Sequence, residues 1–515
     1  MRLYLIFEEK VNTMADYIIS KCKQVASILA AIIIILAGVI MSGKTMKITV
    51  TDKEIDDFYG WGTSACWWSH MVDDEETRID LAKKLYSKEG LGLNIYRYNI
   101  GGGVNLEHNR VTNAWHNIES FYYYNEETKK FEYDFSRDKN AQDFLFEALQ
   151  YGCIDTVVLF ANSPHYSMTV SGEACGSKED NGTSNLSKEH YQDYVDYFLT
   201  ITEYFIEKGV PVKFISPINE PQWGWGGDGV HQEGCHYEPS EVYELLKLFS
   251  VGIKERGLDV KLSCPESGNI GDTTKGYFDS ITGDSELFSE VGSLCYHSYW
   301  SDTNIFSKIK FGAWLKKEPY AGTRIDMSEW CELPCKTSVD NVKSAVIMAR
   351  VIANDIDCTN ANSWTSWVAV NQIGVGDDGL RYSDGLFYAK DDFSEYGTAE
   401  RYYALAHFSK FVPAGSKILK ADANLLSYLY NLQENDDDET KYLETSFCAF
   451  KTPDGKTVLV LVNEGEEKEV ALSAKGEKMT VYTTDATMKL KETYNDEKTD
   501  RLTLTKDSIN TVVFE

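Results

Sequence analysis

The chain has 515 residues, 43% of them hydrophobic and 25% charged, which is enough for one large folded domain and a smaller one. Its formal net charge of −29 argues against binding to nucleic acid, because the protein and the phosphate backbone would repel each other. Eleven cysteines are too few for a disulfide-based scaffold of this length, and their spacing suggests no zinc site. A loop disulfide between Cys175 and Cys235 stays possible if the protein is exported.

The chain begins with a segment unlike the rest. Residues 25–41 form a continuous apolar run, and Lys21 and Lys23 precede it. A basic start followed by an apolar core is typical of an export signal, although the run also approaches the shortest length that spans a membrane. We therefore predict that residues 1–46 are a cleaved signal or a retained membrane anchor, with a buried core helix as a third alternative. The protein is expected to be secreted or held at the cell surface.

From residue 47 onward, strand-like and helix-like runs alternate. Strands are predicted at residues 58–66, 92–100, 154–161, 212–218, 260–264, 291–296, 323–327 and 361–370. Helices are predicted at residues 75–88, 141–150, 187–208, 238–255, 304–316, 339–355 and 399–411. This alternation indicates parallel βαβ units, and eight strands favour an α/β fold of the (β/α)8 TIM barrel type over residues 47–412. A doubly wound open sheet is the alternative, but no Gly-x-Gly-x-x-Gly motif follows a strand to support it.

The remaining residues, 413–515, have a different pattern. Short β-prone runs such as residues 457–462 and 510–514 are separated by turns. This pattern predicts an all-β sandwich as a side domain, and we expect the first residues of the barrel segment to join it. All eleven tryptophans lie between Trp61 and Trp367, so any sugar-stacking surface is expected on the barrel.

Two glutamates stand at the ends of predicted barrel strands. Glu220 follows the fourth strand in the run I-N-E-P, and Glu329 follows the seventh in M-S-E-W. Because the carboxyl ends of barrel strands meet at one mouth, the two side chains can face each other there. Paired carboxylates are what glycoside hydrolysis needs, and a separation of about 5–5.5 Å is typical of retaining enzymes.

An ordered set of motifs accompanies this pair. The motifs are G-W-G-T-S-A-C-W-W at 60–68, R-Y-N-I-G-G-G at 97–103, N-S-P at 162–164, S-P-I-N-E-P-Q at 216–222, H-S-Y at 297–299, S-E-W at 328–330, W-T-S-W at 364–367 and R-Y-Y-A-L-A-H-F-S-K-F-V at 401–412. With them, residues 47–515 resemble glycoside hydrolase family 30, a family of barrel enzymes with catalytic carboxylates on strands four and seven. The resemblance implies a retaining β-glycosidase, and neither a metal nor an organic cofactor is implied.

The resemblance also implies roles for individual residues. Glu220 would be the general acid/base, Glu329 the nucleophile, and Asn219 the partner of the sugar's 2-hydroxyl group. Three more side chains would surround the nucleophile, namely Arg97, His297 and Tyr299. The hydrophobic floor under the reacting sugar would be Trp367. Further aromatic candidates for stacking on sugar rings follow other strand ends, namely Trp223, Trp225, Trp300 and Trp330.

One motif departs from the family pattern. Many relatives carry N-S-P-P-W-W-M after the third strand, whereas this chain has N-S-P-H-Y-S-M at 162–168. Ser167 replaces an expected tryptophan and Tyr166 stands beside it, so a sugar contact is expected to differ here. The partner is expected to be a carbohydrate polymer or oligosaccharide, and membrane contact is expected only through the N-terminal segment.

The resemblance leaves the exact substrate open. Family substrates include β-1,6-galactan, β-1,6-glucan, xylan and glucosylceramide, and we favour endo-β-1,6-galactanase-like action. The alternatives are another specificity of the family or a non-catalytic surface protein that binds glycans.

Overall fold

The computed structural model describes residue 21 and residues 45–179, 182–435 and 440–515. The apolar run at residues 25–41, predicted as a signal or anchor, therefore lies outside the described residues. Within these ranges no helix combines the length and the apolar character that crossing a membrane requires.

The first strand, β1 (Met46–Asp57), belongs to a second sheet, and eight later strands close into a parallel barrel in which they follow one another in chain order. These barrel strands are β2 (Gly60–Ser64), β3 (Ile95–Asn99), β4 (Thr156–Phe160), β5 (Val212–Ser216), β6 (Lys261–Ser267), β7 (Val291–His297), β8 (Ile325–Glu329) and β9 (Ser363–Val368). Most residues of these strands are buried, because helices cover the outside of a parallel barrel and side chains fill its interior. The predicted (β/α)8 barrel is confirmed, and the open-sheet alternative is wrong.

Helices connect the strands and cover the barrel. They are α1 (Glu75–Tyr86), α2 (Lys139–Leu149), α3 (Tyr191–Glu207), α4 (Pro239–Arg256), α5 (Asp272–Thr282), α6 (Ser285–Phe288), α7 (Ile305–Leu315), α8 (Val342–Asn354), α9 (Arg401–Ser409) and α10 (Leu425–Asn431). Local signals set their ends: α4 begins at a capping box between Glu238 and Glu241 and stops at Gly257 in the left-handed region. Helix α5 escaped prediction because its threonines and Gly276 weaken the helical signal.

Short strands in the loops complete the barrel segment. A hairpin of Tyr122–Asn125 and Lys130–Tyr133 lies in the long connection between β3 and α2. Three further strands pair beyond β9, namely Val370–Gln372, Phe387–Ala389 and Tyr396–Thr398. Two-residue strands Gly374–Val375 and Arg381–Tyr382 form a second hairpin, and Leu432–Glu434 pairs with Lys441–Leu443 near the side sheet.

The side sheet has nine strands among the residues that the structure describes. Besides β1 these are β10 (Lys417–Ala423), β11 (Thr445–Lys451), β12 (Thr457–Asn463), β13 (Lys468–Ser473), β14 (Lys478–Thr484), β15 (Lys491–Glu497), β16 (Arg501–Leu504) and β17 (Ser508–Phe514). Their order across the sheet is β15-β14-β17-β12-β11-β10-β1-β13-β16. Strand β1 pairs antiparallel with β10 and parallel with β13. The start of the chain therefore continues the side sheet before the barrel begins.

Alternation of side chains gives the side sheet two buried faces. In β12, Leu459 and Leu461 join the sheet's own apolar cluster, while Val458 and Val460 join the cluster that includes the barrel. Successive residues of a strand point to opposite faces. One face therefore contributes to the apolar cluster within the side domain, and the other face packs against helices α8 and α9 of the barrel. The predicted all-β side domain is confirmed.

One polar residue is buried where the side sheet meets the barrel. His407 of α9 lies 2.8 Å from the hydroxyl groups of both Thr484 and Thr511, through its two ring nitrogens. Burial without a charged partner lowers the pKa of His407 to about 3. The imidazole is therefore neutral at this interface.

Candidate active site

Buried polar side chains converge at the carboxyl ends of the barrel strands. Arg97 comes from β3, Glu220 from the loop after β5, His297 from the end of β7 and Glu329 from the end of β8. All four residues are at most 7% exposed. Charges are buried at such depth only when partners compensate them, and here each one faces another.

The two predicted catalytic carboxylates meet around a histidine. Nδ1 of His297 lies 3.0 Å from Oε1 of Glu220 and 3.6 Å from Oε1 of Glu329. An oxygen of Glu220 and an oxygen of Glu329 lie within 4.8 Å of each other. The proximity of Glu329 and hydrogen bonds to carboxylates raise the pKa of His297 to about 9, although burial acts in the opposite direction. The imidazole is therefore a cation between the carboxylates.

Glu329 accepts hydrogen bonds from two neighbouring side chains. Nη1 of Arg97 donates to Oε2 at 2.5 Å, and the hydroxyl of Tyr299 donates to Oε1 at 3.2 Å. Burial raises the pKa of Glu329, and the charges of His297 and Arg97 oppose that rise. Donors at both oxygens fix the orientation of the carboxylate, which leaves it aimed at the mouth.

Asn219 is held by the same network. Its Oδ1 accepts from Nη2 of Arg97 at 3.0 Å, and its Nδ2 donates to Oδ1 of Asn162 at 3.1 Å. These two bonds define which end of the amide is the oxygen. The amide therefore reaches the cavity beside Glu220 in a fixed orientation.

The backbone at the mouth is strained. Glu220, Glu266 and Trp300 hold φ angles of 43°, 56° and 56°, in the left-handed region that side chains other than glycine's seldom occupy. A Cβ atom at Gly268 would lie 2.6 Å from Oε1 of Glu220, so only glycine leaves room for that carboxyl group. Strain of this kind persists where the surroundings impose it, and it clusters at functional sites.

A cavity of about 360 Å³ opens in front of the carboxylate pair. Its walls are mainly aromatic, and the lining residues are Trp67, Asn219, Glu220, Trp223, Trp225, Gln232, Tyr299, Trp300, Glu329, Cys331, Leu333, Trp367 and Asp384. The rings of Trp223 and Trp300 meet edge to face with centroids 5.3 Å apart, and Trp300 is 58% exposed. Aromatic walls can stack on the apolar faces of sugar rings, and the few polar groups can bond to the sugar hydroxyls.

The structure brings most of the predicted site residues together, and two lie elsewhere. Trp330 is 1% exposed and packs against Trp364 rather than lining the cavity. Tyr166 packs on His165 and on Phe131 of the loop hairpin, away from the cavity lining. The buried ring of Trp330 offers no face to a sugar, whereas Tyr166 is half-buried outside the cavity lining and its sugar contact stays a prediction.

Two further expectations concern cysteines and metals. Cys175 and Cys235 are both free thiols, so the possible loop disulfide is not formed. In the part of the chain that the structure describes, the one trio with metal-ligand spacing is Glu220, His297 and Glu329. Histidine binds a metal only after losing a proton, and the raised pKa of His297 favours a proton there, so we assign no metal.

Glu266, a buried carboxylate at the mouth, was not among the residues predicted from the sequence. Glu266 lies in β6, is fully buried and lies 3.2 Å from Nε2 of His297 through its Oε2. The predicted fifth strand ended at residue 264, two residues short of it. The same rule that selected Glu220 and Glu329, a carboxylate at a strand end, would have found Glu266 had the strand been drawn to its observed end.

Comparisons with known proteins agree with this geometry. A protein-family model described as O-Glycosyl hydrolase family 30 matches residues 44–296, and one described as Glycosyl hydrolase family 30 beta sandwich domain matches residues 438–512. An endo-beta-1,6-galactanase of Hypocrea rufa is 23% identical over 382 residues, covering 70% of this chain and 73% of that protein. An exo-beta-1,6-galactobiohydrolase of Bifidobacterium longum is 25% identical over 367 residues, covering 52% of this chain and 24% of that protein.

Solved structures share the fold. A conserved exported protein from Bacteroides fragilis superposes with a TM-score of 0.74 at 23% identity, covering 91% of this chain and 100% of that one. The catalytic domain of GH30 xylanase C from Talaromyces cellulolyticus superposes with a TM-score of 0.65 at 15% identity, covering 91% and 100%. At these identities the likeness concerns the arrangement of barrel and side sheet.

Proposed function

This chain belongs to glycoside hydrolase family 30, and we propose that it cleaves a β-linked polysaccharide with retention of configuration at the mouth of its barrel. The observation that carries the proposal is the carboxyl pair Glu220 and Glu329, whose oxygens approach within 4.8 Å. Inverting enzymes hold their carboxyl groups about 6.5–9.5 Å apart to admit a water molecule, whereas retaining enzymes hold them about 5–5.5 Å apart. The short approach favours direct attack by one carboxylate on the sugar.

In this proposal the reaction has two displacements. A Glu329 oxygen first attacks the anomeric carbon, the bond to the leaving oxygen breaks, and that oxygen takes a proton from Glu220. Glu220 then takes a proton from water, whose oxygen attacks the same carbon and breaks the ester to Glu329. Arg97 and Tyr299, which donate to Glu329, orient the nucleophile and stabilise it again as it leaves.

Asn219 and the aromatic walls supply substrate contacts in the same proposal. Asn219 lines the cavity beside Glu220 and would meet the sugar's 2-hydroxyl group. Trp367 would lie beneath the reacting sugar, while Trp223 and Trp300 would stack on neighbouring sugars along the chain. Hydrogen bonds to the 2-hydroxyl strengthen in the transition state and contribute several kcal/mol.

The substrate that we favour is β-1,6-galactan, cleaved internally. Support comes from the two curated relatives whose names refer to β-1,6-linked galactose chains. The cleft adds the exposed ring of Trp300, which is 58% accessible and offers stacking area beyond the reacting sugar. An open aromatic rim suits a polymer that extends past the catalytic pair.

We also propose that the protein acts outside the cell, in solution or at the surface. The support is the basic start and apolar run at residues 25–41, together with the net charge of −29. A polysaccharide too large to enter a cell would be met there.

The proposal is tested with a panel of β-1,6-galactan, β-1,6-glucan, xylans, glucosylceramide and aryl β-glycosides, with product sizes and anomeric configuration followed by NMR. We expect galactan oligosaccharides of several lengths and a β-anomer as first product. Preferential release from glucan or xylan would assign another specificity, and an α-anomer would contradict the retaining mechanism.

Glu329→Gln tests the nucleophile. We expect turnover to fall at least about 10⁴-fold while glycan binding persists, since the amide keeps the shape but not the charge. Glu332→Gln is the matched control, because Glu332 is also buried and pairs with an arginine, Arg401, outside the cavity lining. A wild-type protein that binds glycans and releases no sugar from any of them would instead be a glycan-binding protein.

A further inference from the structure

A third carboxylate lies behind the catalytic pair without reaching the cavity. Oε1 of Glu266 accepts from the hydroxyl of Ser216 at 3.0 Å. Its Oε2 accepts from the hydroxyl of Ser328 and lies 3.2 Å from Nε2 of His297. Nη2 of Arg97 lies 3.9 Å from the same oxygen. Glu266 is fully buried and absent from the cavity lining, so it does not touch the sugar.

His297 is the side chain through which Glu266 can reach the reaction. Its Nε2 faces Glu266, whereas its Nδ1 faces Glu220 at 3.0 Å and Glu329 at 3.6 Å. Two further groups lie nearby, namely Tyr299, whose ring centroid is 5.9 Å from that of His297, and Arg97, which is 3.9 Å from the Glu266 oxygen that faces the histidine. A neutral imidazole has one N–H group, so it can donate to the carboxylate on only one side.

The main chain provides a second link. The carbonyl oxygen of Glu266 accepts from the backbone N–H of Glu220 at 2.8 Å. Both residues hold positive φ angles, and the Gly268 position that admits the Glu220 carboxyl follows in the same segment. The main chain of Glu266 thus holds the backbone of Glu220 in place, while the side chain of Glu266 contacts His297.

We propose that Glu266 is a positioning residue that keeps His297 doubly protonated, so that one N–H and a positive charge remain directed at Glu220 and Glu329. The proposal rests on the function proposed above for that pair. Glu266 occupies Nε2–H, which leaves Nδ1–H for the catalytic side. The resulting cation lies beside both carboxyl groups and offsets their mutual repulsion whenever both are ionised.

The charge balance supports this assignment. Arg97 and His297 bring two positive charges to three buried carboxylates, those of Glu220, Glu266 and Glu329. Burial raises the pKa of Glu266, but Arg97 and His297 outweigh it and the net shift is downward. An ionised Glu266 is what a protonated His297 requires as its second partner.

The first test follows His297 directly and needs no turnover. Histidine side chains are labelled with ¹⁵N in the full-length chain, and the His297 signal is assigned by its loss in His297→Gln. We expect the wild-type ring to stay doubly protonated through pH 8 and the Glu266→Gln ring to titrate at least one pH unit lower. An unchanged titration in Glu266→Gln would overturn the proposal whether or not the galactanase assignment holds.

The second test uses the pH profile of kcat/KM on an aryl β-glycoside that the wild type cleaves. We expect Glu266→Gln to lower activity about tenfold or more and to shift the alkaline limb of the profile, because the charge on His297 beside the catalytic pair changes. Glu332→Gln, which removes a buried carboxylate elsewhere, is expected to keep the wild-type profile. An activity loss in Glu266→Gln with an unshifted profile would indicate a purely structural role and would contradict the proposal.

If Glu266→Gln does not fold, as judged by its circular dichroism, Glu266→Asp takes its place. The aspartate keeps the charge on a shorter arm, so we expect His297 to remain protonated at pH 7.5 and activity to be partly retained. A neutral His297 in this variant would show that the carboxylate charge does not hold the proton, and would overturn the proposal.

Discussion

Two regions of the molecule each bury a histidine, and they shift its pKa in opposite directions. His297 at the barrel mouth and His407 at the side-sheet interface are both 0% exposed. Carboxylates face His297 on both ring nitrogens and raise its pKa to about 9, whereas threonine hydroxyls face His407 and burial lowers its pKa to about 3. Burial by itself therefore does not decide the charge of a histidine; the partners at its nitrogens do.

The residues around the two histidines also differ. At the mouth, buried charges compensate one another and the backbone of Glu220 and Glu266 is strained. At the interface, regular strands place apolar side chains such as Val458 and Val460 against the barrel, and both ring nitrogens of the neutral His407 are hydrogen-bonded. Strained backbone and buried charges accompany the charge arrangement at the mouth, whereas apolar packing at the interface contributes to stability.

Among the tests of this comparison between the two histidines, the largest expected effect comes from removing the charged one. His297→Gln keeps a donor toward one carboxylate but removes the positive charge, so Glu220 and Glu329 repel each other. We expect kcat/KM on the best substrate to fall about 10²- to 10³-fold, the range found when one preorganised donor is lost. Steady-state kinetics measure it, and a variant with wild-type activity would refute the importance of this charge.

The interface histidine is expected to affect stability and not catalysis. His407→Gln disturbs two buried threonine hydroxyls, so the free energy of unfolding should fall by about 1–3 kcal/mol. The activity of the folded variant should be unchanged, because Thr484 and Thr511 belong to the side sheet. Urea unfolding at pH 7 measures the change, and a large loss of activity in the folded variant would contradict the division of roles.

The lowered pKa of His407 makes the free energy of unfolding depend on pH. The pKa of His407 is lower in the folded chain than its ordinary 6.5, so the unfolded chain binds the proton first as pH falls. The stabilisation is complete above pH 6.5 and is lost toward pH 3, by about 1.4 kcal/mol per pH unit. His407→Gln should flatten this dependence, though not abolish it, since burial also lowers the pKa of His165 to about 3.

The smallest expected effect concerns the rim of the cleft. Trp300→Ala removes an exposed ring beside the cavity, so we expect KM for a polymer to rise about tenfold through lost stacking, with kcat and stability nearly unchanged. Phe306→Ala is the control, since Phe306 is similarly exposed at 53% but does not line the cavity. Equal effects of both substitutions on KM would show that Trp300 has no specific role.

Much of this architecture is readable from the sequence. The eight barrel strands and the seven predicted helices occur within a few residues of their expected places, because period-2 and period-3.6 patterns are local. Glu220 and Glu329 follow from the same local reasoning, since a carboxylate after a strand must lie at the mouth of a parallel barrel. The change of pattern near residue 413 likewise indicates the side sheet.

The sequence by itself therefore determined the fold class and the two carboxylates, which depend on residues close together in the chain. Only the tertiary structure decided which neighbours surround them. Trp330 follows Glu329 directly yet turns into the core, and Glu266 meets His297 because barrel closure brings β6 beside β7. Charge state and side-chain direction depend on contacts across the barrel, and those contacts exist only once it has closed.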